Sequence, residues 1–346
     1  GCILMCVASS LMGVLIFLKK KSLLSESLSH ATYPGACIGV ALFAIFFPHY
    51  DEWTFLAVLG GAFVSSLLGL KAIHFLEEKG KVHADAALCF VLAVFFGVGI
   101  VIASAMQAQM PTWHQQTQML LFGQAATMSD MHIWIYGSLA LVVALFLFIM
   151  FRPLQASLFD RDFSLSANIP VLALERIFFW LLLLSLIVGI RSVGVVLMSG
   201  MVIAPAVAAR QLTERLQVVF LLAGGFGAIS GLLGNCLSVW LNVPTGPMIV
   251  LAGTTFAIAS LLFAPKRGLL FRMGRIWAFR LHCVEENILK GMWKKGTFAQ
   301  PLTFVVRIAL WRLQRQGWVN PQLTLTRDGE RKAASIVRLH RLFELY

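Results

Sequence analysis

Long apolar stretches dominate this chain and limit what it can fold into. A helix that crosses the hydrocarbon core of a bilayer needs about 20 mostly apolar residues, and such runs are rare in soluble helices. Stretches of this length occur about nine times, near residues 1–18, 31–48, 53–73, 86–106, 132–151, 171–190, 193–209, 217–241 and 246–264. The sequence therefore predicts an all-α protein that crosses a membrane about nine times.

The distribution of charge divides the chain into two parts. Charged residues make up only 13% of the sequence, against about 25% in soluble domains, which excludes an ordinary soluble enzyme. Residues 1–265 hold 12 basic and 11 acidic side chains, whereas residues 266–346 hold 16 and 5, so nearly all of the net charge of +12 lies in the second part. We expect a membrane domain over 1–265 and a basic domain over 266–346, which is long enough to fold by itself.

Basic residues cluster in alternate connections between the apolar stretches. Lysine or arginine occurs in five of them, at 19–21, 71–81, 152–161, 210–215 and 266–267. The other group contains neither residue and lies near 48–52, 107–131 and 242–245. The positive-inside rule places the first group in the cytoplasm, with Arg191 as the one exception.

Glu26 and His30 are ionisable side chains inside the apolar part of the chain. Four residues apart on a helix, they share one face, with Cβ atoms about 5–6 Å apart. His30 lies about 13 Å beyond Lys21 along a helix, near the middle of a ~30 Å hydrocarbon core. Groups at that depth usually mark an ion path, and a carboxylate with an imidazole can share a divalent cation. The alternative is a helix-end carboxylate that only hydrogen-bonds to its histidine neighbour.

Prolines, glycines and cysteines inside the apolar stretches add structural expectations. Pro34 and Pro205 each remove a backbone donor, which predicts a bend or an interruption of the helix. Gly227 and Gly231 predict a close contact between helices. The six cysteines form no C-x-x-C pair, so we expect small packing residues and not disulfides or a zinc site.

Three runs resemble, in the same order, motifs of the permease subunits of ABC-type importers of zinc, manganese and iron. Residues 20–35 read K-K-S-L-L-S-E-S-L-S-H-A-T-Y-P-G and are similar to the family's S-L-L-S-D-A-I-S-H-x-x-x-P-G. Residues 193–215 contain I-A-P-A-V-A-A-R-Q-L-T, similar to the family's I-A-P-A-x-x-A-R-x-L-T. Residues 243–250, V-P-T-G-P-M-I-V, match a third segment. The resemblance covers about residues 1–265.

The resemblance implies a role and a set of partners. Glu26 and His30 are expected to handle the cation, with Glu26 replacing an aspartate and so changing the ligand's reach by one methylene. The cargo is expected to be Mn, Zn or Fe. The implied partners are a second permease subunit, in a homodimer or heterodimer, a cytoplasmic ABC ATPase and an extracytoplasmic metal-binding lipoprotein. The implied location is a bacterial inner membrane, crossed several times.

A further segment resembles the part of the family that meets the ATPase. Residues 159–170 read F-D-R-D-F-S-L-S-A-N-I-P, similar to the family's F-D-P-E-F-A-x-x-x-G-x-P. This implies a short cytoplasmic docking helix, with Asp160, Phe163 and Pro170 in the docking loop. Arg161 and Asn168 stand where the family has proline and glycine. No G-x-x-x-x-G-K-[ST] loop occurs in the sequence, so we expect ATP hydrolysis on a separate subunit and no enzymatic activity here.

The basic part has the pattern of a small soluble domain. Residues 284–293 and 302–316 predict amphipathic helices, and Gly317 predicts the end of the second. Residues 318–326 alternate like two short strands around an Asn-Pro-Gln turn, and another helix follows from Asp328. Helix, helix, hairpin and helix with a strong positive charge predict a winged-helix domain on DNA. The alternative is a basic cytoplasmic domain attracted to anionic lipid or to the ATPase.

The same part, over about residues 280–346, resembles the DNA-binding half of metal-dependent repressors of the diphtheria-toxin-repressor family. Residues 337–346 read V-R-L-H-R-L-F-E-L-Y, and the family's R-x-H-R-L-x-E places metal ligands at His340 and Glu344. The implied DNA-facing helix carries four candidate contacts, Thr303, Arg307, Arg312 and Arg315. The family's dimerisation helices would follow Tyr346, so the resemblance predicts an incomplete repressor.

The sequence thus predicts the permease subunit of an ATP-driven importer of a divalent transition metal, with a repressor-like segment that contacts operator DNA. Two other functions remain open. A membrane-tethered, metal-responsive transcription regulator would bind DNA without any transport. A secondary cation transporter would work without an ATPase.

Overall fold

The computed structural model describes residues 1–46, 54–109, 120–121, 123, 130–265, 268–295 and 303–344. The all-helical prediction is confirmed for these residues, which contain one isolated β-bridge besides the helices. They form two compact units, Gly1–Ala264 and Pro265–Tyr346.

The first unit is built from long apolar helices with two short ones between them. The long helices are α1 (Cys2–Leu18), α2 (Leu23–Phe46), α3 (Thr54–Glu78), α4 (Ala84–Gln109), α5 (Asp130–Ile149), α8 (Val171–Val193), α9 (Val195–Leu212), α10 (Leu216–Leu241) and α11 (Thr245–Phe263). The short ones are α6 (Phe151–Phe159) and α7 (Arg161–Ser166). Within the described residues, eight helices are long and apolar enough to cross a membrane, and α1, at 17 residues, is a shorter apolar helix.

Helix α2 begins earlier than the apolar pattern predicts, at Leu23 and not near residue 31. Its first turns are rich in serine, which lowers their apolar character. The hydroxyls of Ser25, Ser29 and Thr32 donate to carbonyls of the same segment, at 3.1, 2.7 and 2.5 Å. Because these polar groups find partners within the helix, they do not need water, and the segment remains compatible with a membrane.

Of the two effects predicted for the prolines, an interruption is wrong, because α2 continues through Pro34 and α9 continues through Pro205. Near Pro34, the hydroxyl of Ser65 on α3 donates to the carbonyl of Ala31 at 2.7 Å. Side chains from a neighbouring helix commonly satisfy backbone groups beside a membrane proline in this way. The Ala31–Ser65 bond therefore ties α2 to α3 at the proline.

Helix α1 lies at the centre of the unit and packs against α5, α8, α9 and α10. The predicted small-residue contact is present, because Gly227 and Gly231 of α10 both face α1, where Cys6 approaches each of them. The thiol of Cys6 donates to the sulfur of Met201 at 3.6 Å. Cys6 and Cys37 are buried, whereas Cys89 and Cys236 are exposed. All six cysteines are described and none forms a disulfide.

Helices α2 and α3 approach each other through glycines. A Cβ atom at Gly35 would overlap the carbonyl oxygen of Gly61, and a Cβ atom at Gly61 would overlap the carbonyl oxygen of Gly35. The two backbones are therefore in direct contact at this crossing, as small residues allow in membranes.

The next two long helices after the short pair, α8 and α9, are joined by Gly194 alone, with φ 90° and ψ 159°.

The second unit contains three helices and a short pairing. They are α12 (Leu269–Lys295), α13 (Phe304–Arg315) and α14 (Arg327–Glu344), and Val319 pairs with Leu325 in an antiparallel bridge. Its core includes Ile288, Leu313 and Ile336, one residue from each helix. The order of helix, helix, turn and helix follows the sequence pattern. The expected hairpin is reduced to a single bridge, and α12 starts 15 residues before the predicted helix.

Candidate functional site

His30 is buried in α2 with an unpartnered ring nitrogen. The residue is 8% exposed, and its Nδ1 has no hydrogen-bond partner among the described residues. The edge of the imidazole meets the ring of Phe96 on α4, with centroids 4.6 Å apart. Buried polar atoms are nearly always paired in native proteins, so an unpaired one requires an explanation. A nitrogen that receives a passing ligand is such an explanation.

Glu26 lies one turn before His30 on the same helix and is half-buried. In the described part of the chain, no ion pair or hydrogen bond joins the two side chains, so the simple carboxylate–histidine pairing is not what the structure shows. Ser27, three residues before His30, is buried and its hydroxyl also has no described partner. The face of α2 that carries these residues thus presents oxygen and nitrogen atoms.

The described residues contain no group of three or more His, Cys, Asp or Glu side chains that could hold a metal ion. Glu26 and His30 therefore supply two ligand types, and not a closed cage.

The segment over residues 159–170, predicted to meet an ATPase, contains the predicted short helix, and its sequence explains where that helix begins. Asp160 separates α6 from α7, and its Oδ1 accepts a hydrogen bond from the Phe163 N–H at 2.9 Å. This carboxylate therefore caps α7. Phe163 is 60% exposed, and Phe159 and Leu165 are also exposed, whereas Pro170 caps the start of α8. A small helix with exposed apolar side chains is typical of an interaction surface.

Glu175 links this segment to the helix bundle, a contact that the sequence reading missed. Its carboxylate pairs with Lys19, which follows α1, at 3.1 Å and with Arg161, the first residue of α7, at 3.6 Å. In the sequence, Glu175 is a single acidic residue near the start of an apolar stretch. The alternation of acidic and basic residues around Arg161 was the only sign of an ion pair in this region. No feature of the sequence indicated that Glu175 pairs with Lys19.

The candidate DNA contacts of α13 do not all share one face. Thr303, Arg307 and Arg315 are exposed, and their spacing of four or eight residues puts them on the same side of the helix. Arg315 lies over the ring of Trp311, 5.4 Å from its centroid. Arg312 instead pairs with Glu285 of α12, with Nε and Oε1 3.2 Å apart, and the Glu285 side chain is 5% exposed. Arg312 therefore has a structural partner inside the unit.

The two candidate ligands of the repressor-like segment lie on α14. The side chains of His340 and Glu344 fall outside the described residues, as does that of Arg191.

Comparison with known proteins identifies relatives of the membrane unit. A model of the ABC 3 transport family matches residues 1–264. The manganese transport system membrane protein MntC of Bacillus subtilis is 32% identical over 85% of this chain and 66% of its own length. The zinc transport system membrane protein TroC of Treponema pallidum is 33% identical over 80% of this chain and 90% of its own. The solved structure of PsaBC from Streptococcus pneumoniae in complex with Fab has a TM-score of 0.65 and 26% identity, over 77% of this chain and 90% of that one.

Relatives from two Chlamydia species also include the second unit. A probable metal transport system membrane protein of Chlamydia pneumoniae is 34% identical over 99% of this chain and 84% of its own length. The basic unit is thus shared with a protein named for transport, whereas the family model ends before it. The names of these relatives do not describe a repressor.

Proposed function

This chain belongs to the ABC 3 transport family and is a multi-pass membrane permease of the metal-importer type, and we propose that it passes a divalent transition metal along α2, past Glu26 and His30. The cargo is Mn, Zn or Fe. The observation that carries this proposal is the buried, unpartnered Nδ1 of His30 one turn from a half-buried carboxylate.

The chemistry of the pair suits these ions. Oxygen and nitrogen ligands without thiolate accept Mn, Fe and Zn, and the general order of affinities does not select among them. His30 offers a neutral nitrogen, and Glu26 offers a charge that offsets part of the cost of removing a cation from water. The two-ligand arrangement binds the ion weakly enough for release, which transport requires.

Energy for the movement comes from a separate cytoplasmic ATPase. In this proposal, ATP binding closes a pair of ATPase subunits, and the closure moves α7 through Phe163 and its apolar neighbours. Glu175 passes that movement to α1 and α8, since it contacts Lys19 and Arg161. The membrane path is completed by a second permease subunit, and an extracytoplasmic lipoprotein delivers the metal.

Uptake measurements on reconstituted protein test the path. The chain is placed in proteoliposomes with its ATPase, and entry of Mn²⁺, Zn²⁺ or Fe²⁺ is followed for the wild type and for a Glu26→Gln, His30→Ala double variant. We expect uptake to fall about tenfold or more, the scale on which altered metal ligation acts.

The matched control is His74→Ala. His74 is another histidine of a membrane helix, but its Nδ1 already contacts the Leu70 carbonyl at 3.0 Å, so its loss should leave uptake nearly unchanged. Normal uptake by the double variant would remove Glu26 and His30 from the path. Uptake without the ATPase would instead identify a secondary transporter.

For the second unit we propose contact with operator DNA through α13. The supporting observation is the exposed row of Thr303, Arg307, Trp311 and Arg315 on one face of that helix, in a part of the chain with a large excess of basic residues. Arginines along a helix are suited to phosphate contacts. In the same proposal, His340 and Glu344 are two ligands of a partial metal-sensing site.

Binding of duplex DNA to the full chain in nanodiscs of neutral lipid tests this role. Removing two phosphate contacts with Arg307→Gln and Arg315→Gln should reduce the slope of log affinity against log salt by about 2. Arg331→Gln is the control, since that side chain is also exposed but lies on α14 beside Asp328. Equal slopes in all three proteins would exclude α13 as the contact. DNA binding by a chain that fails to transport would favour the tethered regulator.

A further inference from the structure

The first half of α12 is exposed along its whole length. Every residue from Leu269 to Arg280, here called the juxtamembrane segment, is exposed. The exposed residues include large apolar ones, with Phe271 51%, Trp277 53% and Phe279 69% exposed. Aromatic side chains of this size seldom remain in water without a function when they stand together.

The second half of α12 is packed inside the basic unit. Ile288, Leu289 and Met292 are nearly completely buried in the core of the basic unit. One continuous helix therefore has a half that is used for packing within its unit and a half that is not. The difference indicates that the juxtamembrane segment has a partner of another kind.

The position of the segment in the chain limits where that partner is. Helix α11 ends at Phe263 and α12 begins at Leu269. The connection spans at most about 20 Å when fully extended. Since α11 is a candidate membrane span, the start of α12 lies within that distance of a bilayer surface.

The order of the helices identifies the surface. Nine apolar helices that cross in alternating directions bring the end of α11 to the same side as the end of α1, where Lys19, Lys20 and Lys21 follow. Lys266 and Arg267 follow α11 directly. Both connections are rich in cations, which marks the cytoplasmic side.

The residues of the segment are arranged as in helices that lie on membranes. Leu269, Met273, Ile276 and Trp277 follow the spacing of one helical face. Arg272 and Arg275 are three apart on another side of the helix, which also carries Phe271 and Phe279. Arg280 continues the apolar row at the end of the segment, where a long side chain can extend to the headgroups. The sequence has no Asp or Glu between Glu214 and Glu285, so no nearby carboxylate in the chain competes for these arginines.

We propose that the juxtamembrane segment lies in the plane of the cytoplasmic leaflet and binds the headgroups of anionic phospholipids. Its apolar face enters the boundary between headgroups and acyl chains, and aromatic rings such as Trp277 prefer that depth. The arginines remain at the level of the phosphates, where each contributes about 1 kcal/mol.

Fluorescence along the segment tests its placement. Single cysteines are introduced from Leu269 to Arg280 in the full chain, after Ser replacement of Cys89, Cys236 and Cys283, and are labelled with a polarity-sensitive dye. The protein is reconstituted in nanodiscs of phosphatidylcholine with or without phosphatidylglycerol. We expect an apolar environment at Met273, Ile276 and Trp277 and a watery one at Arg272 and Arg275. Labels that report water at every position would overturn the proposal.

Charge variants test the part played by anionic lipid. Arg272→Gln and Arg275→Gln together should lower the ratio of inserted to exposed label about fivefold for each arginine, only in nanodiscs with phosphatidylglycerol. Arg331→Gln with Arg338→Gln removes the same charge from α14 and should leave the ratio unchanged. An equal loss in both pairs would show a general charge effect and contradict the proposal. So would protection of the labels by duplex DNA in neutral nanodiscs, which would assign the segment to nucleic acid.

Discussion

Asn168 ends the docking helix α7 in a backbone conformation that few residues adopt. Its φ is 57°, in the left-handed region. The Asn168 N–H donates to the carbonyl of Leu165 at 3.2 Å, and the Ile169 N–H donates to that of Ser164 at 3.0 Å. This is the Schellman arrangement of a helix end, in which glycine is usual and asparagine is tolerated. The replacement of the family's glycine by Asn168 therefore preserves the turn.

Substitutions at Asn168 should separate backbone conformation from side-chain chemistry. Asn168→Gly is expected to keep the fold, whereas Asn168→Val should destabilise the turn by about 1–2 kcal/mol, because a β-branched residue is disfavoured at positive φ. Thermal unfolding of the purified permease measures the difference. If both variants melt together, the left-handed turn does not limit stability.

At the level of single residues, the sequence singled out Glu26 and His30 as candidates but not the side chains that surround them. The pair was predictable because polar groups are rare in apolar runs and their spacing of four residues is visible in any helix. The contact between His30 and Phe96 joins α2 to α4, and one phenylalanine among the 27 in the chain carries no sign of such a contact. Contacts between helices depend on packing that periodicity does not encode.

The crossing of α2 and α3 depends on the absence of side chains at Gly35 and Gly61. Gly61→Ala would push a methyl group into the Gly35 carbonyl and should destabilise the protein by about 1–3 kcal/mol. Gly60→Ala is a matched control, because a Cβ atom there meets nothing within 4 Å. The melting temperatures of the two variants, with metal uptake alongside, measure the effect. Equal melting would show that the helices separate without cost.

The ion pairs of Glu175 connect α7 to the helix bundle. Their loss should weaken the coupling of ATP hydrolysis to metal uptake more than it lowers the stability of the fold. Partly exposed ion pairs contribute about 0–1 kcal/mol to folding, so Glu175→Gln should melt almost normally. We expect it to reduce metal uptake per ATP hydrolysed, because Arg161 of α7 and Lys19 both lose the Glu175 carboxylate of α8 as their partner.

Glu77→Gln provides the comparison for Glu175. Glu77 pairs with Lys21 at 3.3 Å and its side chain is 20% exposed, but it lies on α3 and forms no ion pair with α7 among the described residues. An equal fall in metal uptake per ATP hydrolysed in both variants would mean that the ion pairs of Glu175 and Glu77 have the same effect. Uptake and ATP hydrolysis measured in the same vesicles distinguish the outcomes.

At the level of elements, the length of the apolar stretches was a good predictor of the helices, whereas proline was a poor predictor of where helices end. Most predicted stretches correspond to helices, because burying an unpaired backbone in lipid is so costly that a long apolar run must be helical. Neither proline ends its helix, and near Pro34 the hydroxyl of Ser65 on α3 donates to the carbonyl of Ala31. That contact comes from another helix, and local sequence cannot reveal it.

For the whole molecule, the alternation of basic and uncharged connections predicts the sidedness of the chain. Glu214 lies in the short connection between α9 and α10, and Val243 lies in the one between α10 and α11. Cysteine at position 243 should react with an impermeant maleimide in intact cells, and cysteine at 214 only after the membrane is opened. The unsubstituted protein gives the background from its own thiols. Labelling of both positions from outside would contradict the nine-crossing arrangement.

The boundary between the two units was visible in the sequence as a change of composition and charge near residue 265. The contacts of the second unit were harder to predict. The sequence does not distinguish an arginine that faces solvent from one that pairs with a carboxylate. Arg312 and Arg307 illustrate this, since one pairs with the buried Glu285 and the other is exposed. Only the packing of α12 against α13 distinguishes them.

The membrane unit has a one-residue connection between α8 and α9, at Gly194. Two spanning helices meet at one residue whose φ of 90° and ψ of 159° suit glycine alone. Since one residue joins the two helices, we expect a displacement of the end of α8 to move the start of α9 as well. Glu175 lies near the other end of α8, so in the proposed transport cycle a movement of α7 would reach this joint along one helix.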